Sequence, residues 1–106
     1  VNGAADQAAL RAAFEHFFGL TDNQSTLLCL LFNAQAGHFL STEQLAVLQS
    51  GRRDTVMQRI CRLRAAMDCE AIDSVQGAGY RLTDLGRVEC RKAIDAMVGS
   101  LSRAAE

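Results

Sequence analysis

The segment RRDTVMQRICRLR, residues 52 to 64, places five arginines in thirteen residues. Each guanidinium carries its charge on a planar fork of N–H donors, and that fork suits the paired oxygens of a phosphate. As a helix continued to about residue 68, with 100° per residue, it gathers Val56, Ile60, Leu63 and Met67 into one apolar stripe. The opposite side then holds Gln58, Cys61, Arg62 and Ala65, with Thr55 near its start and Arg59 and Arg64 on its flanks. Arg52, Arg53 and Thr55 lie at the expected helix start, where side chains and backbone amides favour phosphate. The available chemistry is recognition of a polyanion rather than bond making.

No catalytic constellation accompanies it. His16 and His38 stand apart from any cysteine or carboxylate grouping, and no Ser/His/Asp set, phosphate loop or carboxylate pair is legible. The chain is therefore expected not to be an enzyme, with no catalytic residues, no cofactor and no metal. Cys29, Cys61, Cys69 and Cys90 share no CxxC spacing and read as reduced, structural thiols of a cytoplasmic protein.

Charge is unevenly spread around a net −1. Residues 1 to 51 carry one arginine against four carboxylates, residues 52 to 81 carry six arginines against four, and residues 82 to 106 balance. Positive charge thus collects in the middle of the chain. With 106 residues and 49% hydrophobic content, one core and one domain, residues 1 to 106, are expected. No apolar run approaches the roughly 20 residues of a membrane span, so no membrane association is expected. The chain begins at Val1 with no basic-then-apolar signal pattern, as a trimmed or partial chain would.

The elements that must position the arginines follow from periodicity and caps. Leu10, Phe14, Phe17 and Phe18 predict an amphipathic helix over about residues 5 to 18, ended by Gly19. Thr21 or Asp22 caps a central helix to about residue 35, and His38-Phe39-Leu40 is a short extended link. Ser41 or Thr42, with Glu43 and Gln44 in the capping-box zone, opens a third helix whose apolar residues are Leu45, Val47 and Leu48. The arginine-rich helix spans about 54 to 68. Residues 71 to 75 and 80 to 83 alternate as strands around the glycine-rich turn QGAG, residues 76 to 79. Tyr80 is expected to pack rather than to touch a ligand. Thr83 or Asp84 caps a last helix over about 84 to 101, with Cys90, Ile94, Met97, Val98 and Leu101 on one side and fraying expected beyond.

This order predicts a fold that is mainly α with a small β-hairpin wing: a winged helix-turn-helix core, residues 20 to 83, flanked by N- and C-terminal helices. RICRLRAAMD, residues 59 to 68, followed by AIDSVQGAGYRLT, residues 71 to 83, resembles the DNA-binding effector domain of OmpR/PhoB-type response regulators. In that family an Ile-x-Arg-Leu-Arg helix leads into a wing ending Gly-x-Gly-Tyr-Arg. LTDNQSTLLCLLFNAQAGHFLSTEQL, residues 20 to 45, is similar to the same family's opening helix, short strand and second helix. The resemblance implies that Gln58 and Arg62 read bases and that Arg59 and Arg64 hold phosphates. Arg62 would then pair with guanine and Gln58 with adenine, each giving about 1–3 kcal/mol of discrimination. Gln76 stands where the family has a basic residue before the wing glycine, which implies a minor-groove contact that is either weaker or shifted to Arg81. A helix replaces the family's N-terminal sheet, no receiver domain is present, and the connection at 49 to 53 is shorter than the polymerase-contacting loop. LTDLGR, residues 82 to 87, looks like the ends of MarR- or PadR-type regulators, whose terminal helices commonly form a dimer interface.

Two functions stand as expectations. One is a cytoplasmic, sequence-specific regulator of transcription on double-stranded DNA, with RNA polymerase or another regulator as a further partner. The other is a winged-helix protein-interaction module, an adaptor or anti-regulator. The stripes of the terminal helices can pack on the domain, on each other within one chain, or across a two-fold axis; a homodimer through Phe14, Phe17, Ile94, Met97 and Leu101 is the favoured expectation, because both helices lie outside the core unit and carry bulky apolar residues that need cover.

Overall fold

The computed structural model describes residues 3–34, 37–49 and 51–105, with side chains between positions 7 and 99 of that set. Five helices and one two-stranded antiparallel hairpin follow one another in the order α1 (Gly3–Phe18), α2 (Asp22–Asn33), α3 (Thr42–Leu48), α4 (Arg53–Ala66), β1 (Ile72–Val75), β2 (Gly79–Leu82) and α5 (Asp84–Ala105). The chain is mainly α, as the periodicity predicts.

Local chemistry explains where the elements start. Thr21 and Ser41 each open a helix with a capping box: the hydroxyl accepts from the amide of Gln24 or Gln44, whose side chain accepts in return from the cap amide. Thr83 Oγ1 accepts from Gly86 N at 3.1 Å and starts α5. Gly19, with φ near 69°, stops α1. Ser25, buried in α2, donates its hydroxyl to the Asp22 carbonyl at 2.8 Å, which offsets its desolvation.

The core forms where the apolar stripes meet. Leu27, Leu28 and Leu31 of α2 lie beside Phe14 of α1, Leu45 of α3, Val56, Ile60 and Leu63 of α4, and Cys90 and Ala93 of α5. Burying each of the three α4 side chains contributes about 1.5–3 kcal/mol. Because that stripe faces inward, the opposite side of α4 must face out.

The hairpin is held from two sides. Ile72 faces Leu82 and Ser74 faces Tyr80 in the pairing register. Leu40 adds an isolated bridge, exchanging backbone hydrogen bonds with Tyr80 at 2.8 and 2.9 Å. This approach needs Gly79, where φ is 116° and a Cβ would run into the Leu40 carbonyl. Gly86 plays the same part behind the hairpin, where a Cβ would meet the carbonyl of Ala71.

Three expectations need correction. Phe14, assigned to a dimer interface, is fully buried inside the chain, with its ring 5.8 Å from Phe32 and 6.3 Å from Phe18. An inward position one turn before Phe18 and above α2 leaves it nothing to offer a second copy. Of the three residues read as the apolar side of the third helix, Leu45 is buried but Val47 and Leu48 are not: α3 has only seven residues, and its last turn leaves them 79% and 58% exposed. The last helix extends to Ala105 rather than ending near 101, and Val98 turns off the buried stripe and is 55% exposed.

Candidate nucleic-acid interface

The outward side of α4 carries Met57, Gln58, Cys61, Arg62 and Ala65, all exposed, as the helical wheel requires. Arg52 and Arg53 sit exposed at its start, where the cap position has no side-chain hydrogen bond. Among the described residues, no in-chain hydrogen bond or ion pair engages the side chains of Arg52, Gln58 or Arg62.

The other arginines are committed within the chain. Arg53 Nε lies 3.4 Å from Glu43 Oε1 of α3. Arg59 Nη1 donates to Gln49 Oε1 at 2.8 Å, and the Gln49 amide donates in turn to the Asn23 carbonyl at 3.1 Å. Arg64 turns toward the hairpin, donating from Nε and Nη2 to the Ile72 carbonyl at 3.3 and 3.1 Å. Arg81 is held hardest: its guanidinium binds Asp73 across the strand pair at 3.2 and 3.3 Å, donates to the Gly37 carbonyl at 3.4 Å and lies 4.5 Å above the Phe39 ring. Gln76 is exposed in the turn, where Gly77 adopts a φ of 86°.

Two clefts flank the outward side of α4. One, of about 370 Å³, separates the hairpin from α3 and α4; Arg53, Met57, Glu43 and Val75 face it. The other, of about 190 Å³, lies between the start of α2 and α4, with Asn23 and Gln24 on one wall and Thr55, Gln58, Arg59 and Arg62 on the other. The structure therefore brings Thr55, Gln58, Arg59 and Arg62 together on one surface and sets Arg64 and Arg81 against the hairpin. Sequence reasoning missed Glu43, Asn23 and Gln49 as members of this neighbourhood. Glu43 and Gln49 carried signals only for a cap and a connection, and their partners are set by packing.

Of the remaining residues assigned to a dimer interface, Phe17 is 44% exposed, Met97 is half-buried, and Ile94 is packed in part against the core. The side chain of Leu101 lies outside the described residues. Leu85 and Val88 add exposed apolar surface on α5.

The four cysteines are free. Burial pushes the Cys29 thiol up to about 11 and the Cys90 thiol up to about 12, so both stay protonated and act as small apolar groups. Among the described residues no group of three or more His, Cys, Asp or Glu side chains is gathered to hold a metal ion, and no helix is long and apolar enough to cross a membrane. Comparison with protein-family models, with curated proteins and with solved structures finds no match to this chain.

Proposed function

We propose that this chain is a sequence-specific, double-stranded DNA-binding regulator of transcription, built as a winged helix-turn-helix with α4 as its reading helix and the hairpin as its wing. The observation that carries the reading is the pair Gln58 and Arg62: one turn apart, exposed, and without in-chain partners among the described residues, on the outward side of a fourteen-residue helix. A helix about 10–12 Å across fits the major groove, about 12 Å wide, where arginine and glutamine match the edges of guanine and adenine. The clefts on either side of α4 leave room for the two backbones that border a groove. The hairpin is an accessory contact in this reading, since Gln76 is uncharged and Arg81 is already paired with Asp73. The protein would act in the cytoplasm as a homodimer through Phe17, Met97 and Leu101, with RNA polymerase or another regulator as its protein partner.

Selection from a random duplex pool, with Arg62→Ala as the control, tests it. The expected outcome is an enriched site, bound in a salt-sensitive manner, whose selectivity the variant loses.

A second reading has its own support. Arg53, Arg59, Arg64 and Arg81 are all engaged inside the chain, while Leu40, Val47 and Leu48 line an apolar groove of about 430 Å³ on α3. These features suit a winged-helix protein-interaction module. If no site is enriched at low salt, this reading replaces the first.

A further inference from the structure

Base reading by Gln58 and Arg62 does not account for the cleft between α2 and α4. Its lining is selective: among the described residues it consists of two guanidiniums, amides and hydroxyls, with no carboxylate and no hydrocarbon side chain. Asp22, the acidic group in the first turn of α2, is drawn away to Arg11 at 3.2 Å. Arg59 is aimed rather than neutralised, because its partner is the uncharged oxygen of Gln49. Gln49 is itself fixed on the Asn23 carbonyl, so one amide ties the end of α3 to the start of α2 and holds the guanidinium between them. Only Nη1 of Arg59 is engaged; the rest of its fork has no in-chain partner among the described residues. Gln24, whose side-chain oxygen accepts from Thr21, keeps its amide donors for the cleft.

We infer that this cleft seats one backbone phosphate of bound DNA, with Arg59 on the α4 wall, Asn23 and Gln24 on the α2 wall, and Gln49 as the positioning residue that aims Arg59. The inference rests on the DNA-binding reading and extends it to α2 and to the end of α3. A volume near 190 Å³ leaves room for a phosphodiester group. Clamping a phosphate between two helices fixes how deeply α4 sits in the groove, which is how backbone contacts set the register of base contacts.

The test places a carboxylate in the cleft. Asn23→Asp does so at an exposed position in the first turn of α2, where an acid favours the helix, so lost binding is not lost folding. Ala8→Glu, exposed on α1 and outside the cleft lining, makes the same change in net charge. Binding is measured to a random-sequence duplex as a function of salt. Asn23→Asp is expected to bind about 10-fold more weakly at low salt and to reduce the log–log salt slope by about 1. Its thermal midpoint stays at or above that of the wild type, and Ala8→Glu stays within about twofold of wild-type affinity. Equal losses in the two variants, or wild-type affinity and slope in Asn23→Asp, overturn the phosphate seat and leave the DNA reading standing. A wild-type chain that binds no duplex at low salt overturns both. For Gln49, Arg59→Ala should cost less binding in a Gln49→Ala background than in the wild type; equal costs remove the positioning role.

Discussion

The outward side of α4 and the junction where the hairpin and α5 meet the rest of the chain are both rich in arginine, yet they use it in opposite ways. On α4, the side chains of Gln58 and Arg62 have no in-chain partner among the described residues. At the junction, Arg81 meets a carboxylate, a carbonyl and a ring, and Arg64 meets the Ile72 carbonyl. Arg87 of α5 goes further: it donates to the carbonyls of Phe32 and Ala34 at 3.1 and 2.9 Å, capping the end of α2 with a cation. The contrast teaches that an arginine's role is set by whether folding brings acceptors to it, not by the helix or strand that carries it. A guanidinium whose donors are satisfied is a structural clamp; one left with water is available to a partner.

Substitutions can break or sharpen this contrast. Arg87→Ala should have the largest effect, because it leaves the end of α2 without its cation. Chemical denaturation should show a loss of about 1.5–3 kcal/mol. Arg62→Ala should behave in the reverse sense, with stability held within about 0.5 kcal/mol. Its affinity for a selected site should fall by about 1–3 kcal/mol, read by titration against matched and mismatched duplexes. An Arg62→Ala variant that unfolds early would place Arg62 with the clamps and dissolve the distinction.

Arg81→Ala is expected to cost about 1 kcal/mol or less of stability, since its ion pair is partly exposed. It should change duplex affinity by less than about twofold if the strand pairing already satisfies the guanidinium. A loss of affinity as large as that of Arg62→Ala would move the hairpin from support to reader. Glu43→Gln should be the smallest change. It releases the exposed Arg53, raises affinity by about two- to threefold and steepens the salt slope by up to about 1, with little change in thermal midpoint.

Much of the fold was legible in the residues. The α4 stripe of Val56, Ile60 and Leu63 is buried as the 3.6-residue period requires, and the caps at Thr21, Ser41 and Thr83 lie where hydroxyls precede apolar runs. The hairpin follows from alternation and from the glycines at 77 and 79, both of which take positive φ. Phe14 and Val47 were not legible, because both are apolar at helical spacing and only the reach of the neighbouring helices separates a buried ring from a bare valine. In the candidate interface the exposure of Gln58 and Arg62 could be read from the wheel, whereas the commitments of Arg53 and Arg59 could not.

By itself the sequence determined the elements, their caps and the side α4 turns outward, because periodicity and capping act over three or four residues. Tertiary structure alone decided which cations stay available and what walls the clefts beside them. Arg87 finds its carbonyls 53 and 55 residues away, and Gln49 finds Asn23 at a distance of 26 residues. An acceptor's place relative to a guanidinium depends on how helices pack, and no local pattern of residue types encodes it.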